Sequence, residues 1–168
     1  MSPRTLRRIA VATAAPVVPL LLLAAHPSGE VARVGGTYTM TYSQRHPIPV
    51  PDADGHVVIA TQATGTNQST GPSPFEDGAQ VTIIESADMT QGSGPHQGYA
   101  VMTLNGKVTV NRWSGKLTTV LGPDHQPATS FKGTWTSVKG PTGQGTYEGR
   151  ITGPDTYTVR WAGQVDIK

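Results

Sequence analysis

The sequence predicts an all-β protein: a single antiparallel barrel of about eight strands that follows an N-terminal signal segment. Apolar residues recur with a period of two over most of the chain after residue 34, which indicates half-buried strands. No stretch after residue 30 shows the spacing of an amphipathic helix. The 168 residues include 20 glycines and 14 prolines, a composition typical of many turns.

The N-terminal segment has the pattern of a secretory signal. Residues 1–8 carry three arginines and no acid, and residues 9–25 are apolar. Pro16 and Pro19 interrupt this run, which is also short for a membrane span. Because the small residues expected at a cleavage site are only partly present, an uncleaved anchor remains the alternative. We therefore expect a signal peptide or anchor over 1–30, a barrel domain over 31–168, secreted or periplasmic localisation, and no other membrane-spanning segment.

Charge and cysteine content exclude several classes of function. Of the 13 basic residues, three lie in the leader, so from His26 onward the other ten face 11 acidic residues and the net charge is −1. Nucleic-acid binding requires a basic surface, and no cluster of lysine or arginine occurs after residue 30. The chain has no cysteine. This rules out disulfides, a thiolate metal site and a cysteine nucleophile.

Turn signals separate the predicted strands. Asp54-Gly55, Asp77-Gly78 and Asn105-Gly106 each fall between two apolar runs, and Asn-Gly is the strongest short hairpin signal. The expected strands centre on residues 34–43, 57–60, 81–84, 99–102, 108–113, 131–138, 145–152 and 156–167. The last has the clearest alternation, with Tyr157 and Trp161 on its apolar face. Short turns make sequential strands neighbours, which favours a meander that closes into a barrel over a sandwich.

Glycine-aromatic motifs in the second half of the chain carry a resemblance to a known family. The motifs are Arg112-Trp113-Ser114-Gly115, Phe131-Lys132-Gly133-Thr134-Trp135, Gly143-Gln144-Gly145-Thr146-Tyr147-Glu148-Gly149 and Arg160-Trp161-Ala162-Gly163. The chain resembles bacterial exported proteins related to the allene oxide cyclase barrel. This resemblance implies an eight-stranded barrel with a small internal cavity. Some members of the family are cyclases, but their catalytic residues do not match this chain, so none is carried over.

Polar side chains form no recognisable catalytic or metal motif. His46, His56, His96 and His125 stand within two residues of proline or glycine, so we expect them in loops, without metal-ligand spacing. Only His56 adjoins a strand, which would place it at the barrel mouth. Gly92-Ser93-Gly94 lacks the context of a nucleophile elbow and is interpreted as a flexible connector. Glu85, Asp88 and Glu148 are candidate acids, although nothing pairs them. No cofactor and no metal are predicted.

The three tryptophans are the most informative side chains. Large aromatic rings on strands either fill a barrel core or line a cavity that stacks a flat, apolar ligand. Alternation also predicts that Arg160 faces solvent if Trp161 points inward. The predicted ligand-binding residues are Trp161, Trp113, Trp135, Tyr99, His56 and Asn67.

The sequence supports two hypotheses about function. The first is an exported barrel that binds a small apolar or amphipathic ligand, or has a structural role. The alternative is a cofactor-independent isomerase or cyclase of the allene oxide cyclase type, so the sequence leaves enzyme activity open. A cavity with two or more buried polar side chains would favour the enzyme, whereas a tightly filled interior would favour the structural role. Ligand identity and oligomeric state depend on tertiary structure, and the sequence does not specify them.

Overall fold

The computed structural model describes residues 30–122 and 125–167 and confirms the predicted fold class. The barrel is closed and antiparallel, and its strands pair in chain order, with the last pairing back onto the first. The strands are β1 (Glu30–Pro49), β2 (His56–Ser69), β3 (Gln80–Thr90), β4 (Gly94–Leu104), β5 (Lys107–Leu121), β6 (Pro127–Lys139), β7 (Gly143–Ile151) and β8 (Thr156–Ile167). Residues 1–29, which contain almost all of the predicted signal segment, lie outside the described part. Within the described ranges, no helix has the length and apolar character needed to cross a membrane.

Two tight turns show how local sequence sets the strand register. Asn105 and Gly106 have φ values of 50° and 77° and join the paired residues Leu104 and Lys107. Positive φ at both central residues defines the hairpin turn that the Asn-Gly signal predicts. Gln91 and Gly92 repeat this geometry, with φ values of 51° and 77°. The expectation of a flexible connector over 92–94 is therefore wrong, because the segment is a tight turn that leads directly into β4.

Side-chain direction follows the predicted alternation in β8 and departs from the apolar pattern in β5. Tyr157 and Trp161 are buried, while Arg160 is exposed, as expected for opposite faces. In β5 the buried positions near the Asn-Gly turn are polar, namely Thr109 and Asn111. The valines of this strand, Val108 and Val110, are only half-buried and alternate with these buried positions. The barrel interior thus contains polar groups that an apolar pattern does not reveal.

Inward-facing glycines make room for the tryptophan rings. A Cβ atom on Gly98 would lie 2.7 Å from the ring of Trp113, and one on Gly163 would lie 2.4 Å from the ring of Trp135. Gly36 faces Trp161 at a similarly short distance. Separations this small are closer than van der Waals contact between carbon atoms. Each indole therefore lies directly over backbone, where any side chain would clash.

The loop between β2 and β3 packs against one end of the interior; we call residues 70–79 the closing loop. The Asn67 side-chain amide donates hydrogen bonds to the carbonyls of Glu76, at 2.9 Å, and Phe75, at 3.4 Å. The Phe75 ring meets the edge of Trp161 with centroids 6.5 Å apart. These contacts tie the closing loop to the aromatic core.

We expect Gly163→Ala to destabilise the barrel by about 1–3 kcal/mol, the usual cost of overpacking a core. The added methyl would meet both the Trp135 ring and the Gln144 carbonyl oxygen, 2.3 Å away. In an open strand the same change would be favourable, because alanine loses less backbone entropy than glycine. Urea unfolding measures the difference.

The matched control is Ala162→Ser, which also adds one heavy atom but on the exposed face of the same strand. We expect it to change the free energy of unfolding by less than about 0.5 kcal/mol. Equal stability of the Gly163→Ala variant and the wild type would show that the tight ring-backbone packing is not required.

Candidate ligand site

A small cavity lies inside the barrel. Its volume is about 50 Å³. The three tryptophans predicted as ligand-binding residues, Trp113, Trp135 and Trp161, all line it. Phe131 and four tyrosines complete an aromatic wall. Such a wall suits the apolar part of a small molecule.

A line of polar side chains crosses one side of this cavity. Glu85 Oε1 lies 2.8 Å from His96 Nδ1, and His96 Nε2 lies 3.0 Å from the Tyr147 hydroxyl. The Thr61 hydroxyl donates to the second carboxylate oxygen of Glu85 at 3.0 Å. The side chains of His96 and Glu85 are only 3% and 11% exposed. We call Glu85, His96 and Tyr147 the polar line.

The strand register brings Glu85 and His96 together. Glu85 of β3 pairs with Gly98 of β4, and His96 pairs with Ala87, so the two are diagonal neighbours on the inner face. The expectation that His46 and His96 lie in loops is wrong, because they belong to β1 and β4. Pro95, which suggested a loop, stands at the second position of β4, where a strand tolerates proline. Extending the alternation of Ala100 and Met102 back along β4 would have placed His96 inside the barrel.

The hydrogen bonds of the polar line restrict where its protons lie. A carboxylate only accepts, so His96 Nδ1 carries a proton and donates to Glu85. Nε2 and the Tyr147 hydroxyl share the next hydrogen bond, in which the hydroxyl is the donor when the imidazole is neutral. Burial raises the pKa of Tyr147 above its usual range, and the nearby charge of Glu85 raises it further. Tyr147 therefore remains a neutral phenol.

The other tyrosines of the cavity are also held neutral. Burial raises the pKa of Tyr38 and Tyr157 beyond their ordinary range, and that of Tyr42 to about 12. The charge of Glu85 adds to this effect at Tyr42 and Tyr157. Tyr42 is the least buried of the four, and the Arg45 guanidinium lies 4.3 Å from its ring centroid. The hydroxyls thus act as hydrogen-bonding groups and not as anions.

The three indole N–H groups differ in their partners. Trp161 donates to Asn67 Oδ1 at 3.0 Å, and Trp135 donates to the Ala162 carbonyl at 3.3 Å. Trp113 Nε1 and the Tyr157 hydroxyl are buried, and neither has a hydrogen-bond partner among the described residues. Both residues line the cavity. Two polar atoms of the wall are thus left without a partner from the barrel.

The structure separates the other three predicted ligand residues from the cavity wall. Asn67 is fully buried, but it holds Trp161 and the closing loop and does not line the cavity. Tyr99 is 44% exposed on the outer face of β4. His56 begins β2 and lies between the carboxylates of Asp52 and Asp88. The cavity lining brings together only the three tryptophans of the predicted set.

Sequence reasoning missed the polar line. Glu85 was one of several unpaired acids, and Tyr147 appeared only as part of a glycine-aromatic motif. Within 30–122 and 125–167, no group of three or more histidine, aspartate or glutamate side chains is placed to hold a metal ion. What the arrangement offers chemically is hydrogen bonding and proton exchange beside an aromatic surface.

Comparison with known proteins does not assign a function to this barrel, so the assignment depends on the geometry of the cavity. No protein-family model matches the chain, and no curated protein matches it. The fold and cavity define a closed eight-stranded β-barrel that is compatible with a ligand-binding barrel. A more specific assignment has to come from the chemistry of the lining residues.

The His56 contacts predict a pH-dependent contribution to stability. Its hydrogen bonds to Asp52 and Asp88 raise the pKa of His56. The hydrogen bond between His56 and Asp52 also lowers the pKa of Asp52. A raised histidine pKa stabilises the fold fully below the unfolded value of about 6.5, and this contribution is lost as pH rises through the folded value. We expect His56→Gln to lower the urea midpoint most between about pH 5 and 6.5.

Urea unfolding at a series of pH values tests this, with His46→Gln, at an exposed position, as the control. The gap between wild type and His56→Gln should narrow as pH rises. A gap that stays constant or widens toward alkaline pH would contradict the role of the charged histidine.

Proposed function

We propose that the barrel binds a small, mostly apolar molecule that carries one hydrogen-bonding group. The observation that carries this proposal is the polar line, which lies in the wall of an otherwise aromatic cavity. The apolar part of the ligand would pack on the tryptophan rings, and its polar group would face the hydrogen-bonding side chains. A few polar groups in an apolar pocket are the usual composition of a small-molecule site.

The cost of the polar line supports a functional role for it. Burying a carboxylate and an imidazole requires removing both from water, and an apolar core of similar volume is often as stable or more so. Each polar group here is nevertheless paired: Glu85 through both oxygens and His96 through both nitrogens. A barrel that only needed a filled interior would gain little from this arrangement. Buried titratable groups beside a cavity are typical of functional sites.

The volume of the cavity limits the ligand. About 50 Å³ holds a few water molecules and is smaller than the roughly 150 Å³ of an engineered cavity that binds benzene. A ring-sized ligand therefore requires side chains of the wall to move. Met102 and Leu117 line the cavity, and a methionine readily changes its conformation to adapt to its neighbours. The proposal is thus limited to molecules of up to about one small ring.

We expect small cyclic ketones and alcohols to change the tryptophan fluorescence of the barrel, whereas long-chain fatty acids should not. Ala100→Val should weaken this binding at least tenfold, because Ala100 lines the cavity and two added carbons would fill it. Fluorescence titration and ligand-observed NMR measure the affinity.

The control for the filled cavity is Ala128→Val, the same change at an exposed position on β6. It should leave binding unchanged. If no small ligand alters the fluorescence, or if Ala100→Val binds as well as the wild type, the cavity is not a ligand site.

A second candidate function is favoured by the Glu85–His96 pair itself. A carboxylate that orients a histidine is a common arrangement for general acid-base catalysis. His96 Nε2 could take a proton from a ligand carbon once the Tyr147 hydroxyl turned from His96 to the ligand. Under this hypothesis the protein is a cofactor-independent isomerase. The resemblance to the allene oxide cyclase barrel implies such activity for some members of that family. Isomerase activity requires the same cavity as simple binding.

For the isomerase, we expect the protein in heavy water to exchange deuterium into the carbon next to the carbonyl of a bound small ketone. His96→Gln should reduce the exchange rate by at least 100-fold, the typical contribution of a general base. His125→Gln, in the exposed β5–β6 loop, serves as the control. Binding without exchange above the background rate would leave only the binding function.

A further inference from the structure

Two hydrogen-bond donors in the cavity wall lack a partner. Trp113 and Tyr157 are 8% and 4% exposed, and neither Trp113 Nε1 nor the Tyr157 hydroxyl bonds to any described protein group. Leaving a buried donor unsatisfied is costly, and most buried polar groups in folded proteins are paired. The one other such atom in the described chain, Glu76 Oε2, belongs to the closing loop and not to the cavity lining. The two cavity atoms therefore indicate an acceptor that the barrel does not supply.

Both donors belong to one aromatic cluster. The Trp113 ring lies 4.9 Å from His96 and 5.6 Å from Tyr147, measured between centroids. Phe131 bridges the two sides, with centroids 5.7 Å from His96 and 5.8 Å from Tyr157. The rings that carry the unpartnered donors thus belong to the aromatic cluster around the polar line.

The charge of the cavity lining restricts the chemistry of the acceptor. Glu85 places a carboxylate in the wall, and none of the described lining residues is a lysine or an arginine. A ligand carboxylate would add a second buried negative charge with no lysine or arginine in the described lining to offset it, which is strongly unfavourable. An indole N–H can only donate, so the ligand must accept. A neutral oxygen with two lone pairs, as in a ketone, aldehyde, ester or amide, meets both conditions.

We propose that the ligand is a neutral carbonyl compound whose oxygen accepts hydrogen bonds from Trp113 Nε1 and the Tyr157 hydroxyl. This inference rests on the proposed binding function and narrows its ligand class. Trp113 and Tyr157 would then make the site prefer a carbonyl compound to a hydrocarbon of the same shape. Discrimination comes from leaving both donors unpaired when the oxygen is absent.

Three probes with the same number of non-hydrogen atoms test the selection: cyclopentanone, methylenecyclopentane and cyclopropanecarboxylate. The ketone should bind about tenfold or more tightly than methylenecyclopentane, in which a carbon replaces the oxygen, because two hydrogen bonds are lost. The carboxylate should bind more weakly than either. In the infrared spectrum, the carbonyl stretch of bound cyclopentanone should shift to lower frequency than in an apolar solvent, as hydrogen bonding to the oxygen requires.

Tyr157→Phe removes one donor and keeps the ring. It should weaken cyclopentanone binding about fivefold to tenfold, leave methylenecyclopentane unaffected and reduce the infrared shift. The unliganded variant should unfold at a higher urea concentration than the wild type, because an unpaired buried hydroxyl has been removed. A purely structural tyrosine would not combine weaker ketone binding with greater stability. Tyr99→Phe, on the outer face, should change none of these quantities.

Separate results bear on the carbonyl proposal and on binding itself. If methylenecyclopentane binds as tightly as cyclopentanone, or if Tyr157→Phe leaves the ketone's affinity and spectrum unchanged, the carbonyl proposal is overturned while binding stands. If no probe binds, the proposed function fails and the carbonyl proposal fails with it. Should Tyr157→Phe not fold, Trp113→Phe and the infrared shift in the wild-type protein decide the question.

Discussion

The close approach of aromatic rings to glycine backbone is the constraint on which the interior of this barrel depends. Trp135 lies over two glycines, Gly145 and Gly163, on neighbouring strands. The Tyr147 hydroxyl is likewise packed against glycine backbone, since a Cβ atom on Gly115 or Gly133 would come within about 2.6 Å of it. Packing and chemistry are therefore linked, because the glycines that admit the tyrosine also bring its hydroxyl to His96.

The carboxylate of Glu85 has the widest effect on the electrostatics of the cavity. Glu85 accepts from His96 and from Thr61, and its charge raises the pKa of three surrounding tyrosines. In a poorly solvated interior such a charge acts over longer distances than it would in water. The cavity therefore combines apolar walls, neutral hydroxyls and one fixed negative charge, which together disfavour anionic ligands.

The sequence predicted the barrel because strand alternation and turn chemistry are local. Neighbouring residues alone predicted which face of β8 is buried and where the Asn105-Gly106 turn lies. The polar line could not be predicted in this way, because Glu85 and His96 meet only through the β3–β4 register, and Tyr147 comes from a distant strand. Tyr99, one of the predicted ligand residues, lies on the outer face of β4, out of phase with the buried Ala100 and Met102.

The pairing of β1 with β8 closes the barrel and joins the two ends of the described chain, with Glu30 opposite Ile167. This step brings together the residues that are farthest apart in sequence, so it carries the largest loop-closure entropy of any strand pairing in the fold. Folding dominated by such non-local contacts is slow. Until closure, β1 and β8 are both open edges able to pair with other chains. Once β1 and β8 are paired, a short peptide linker between Glu30 and Ile167 would require little rearrangement. The fold is therefore suited to circular permutation, with new termini at its exposed turns.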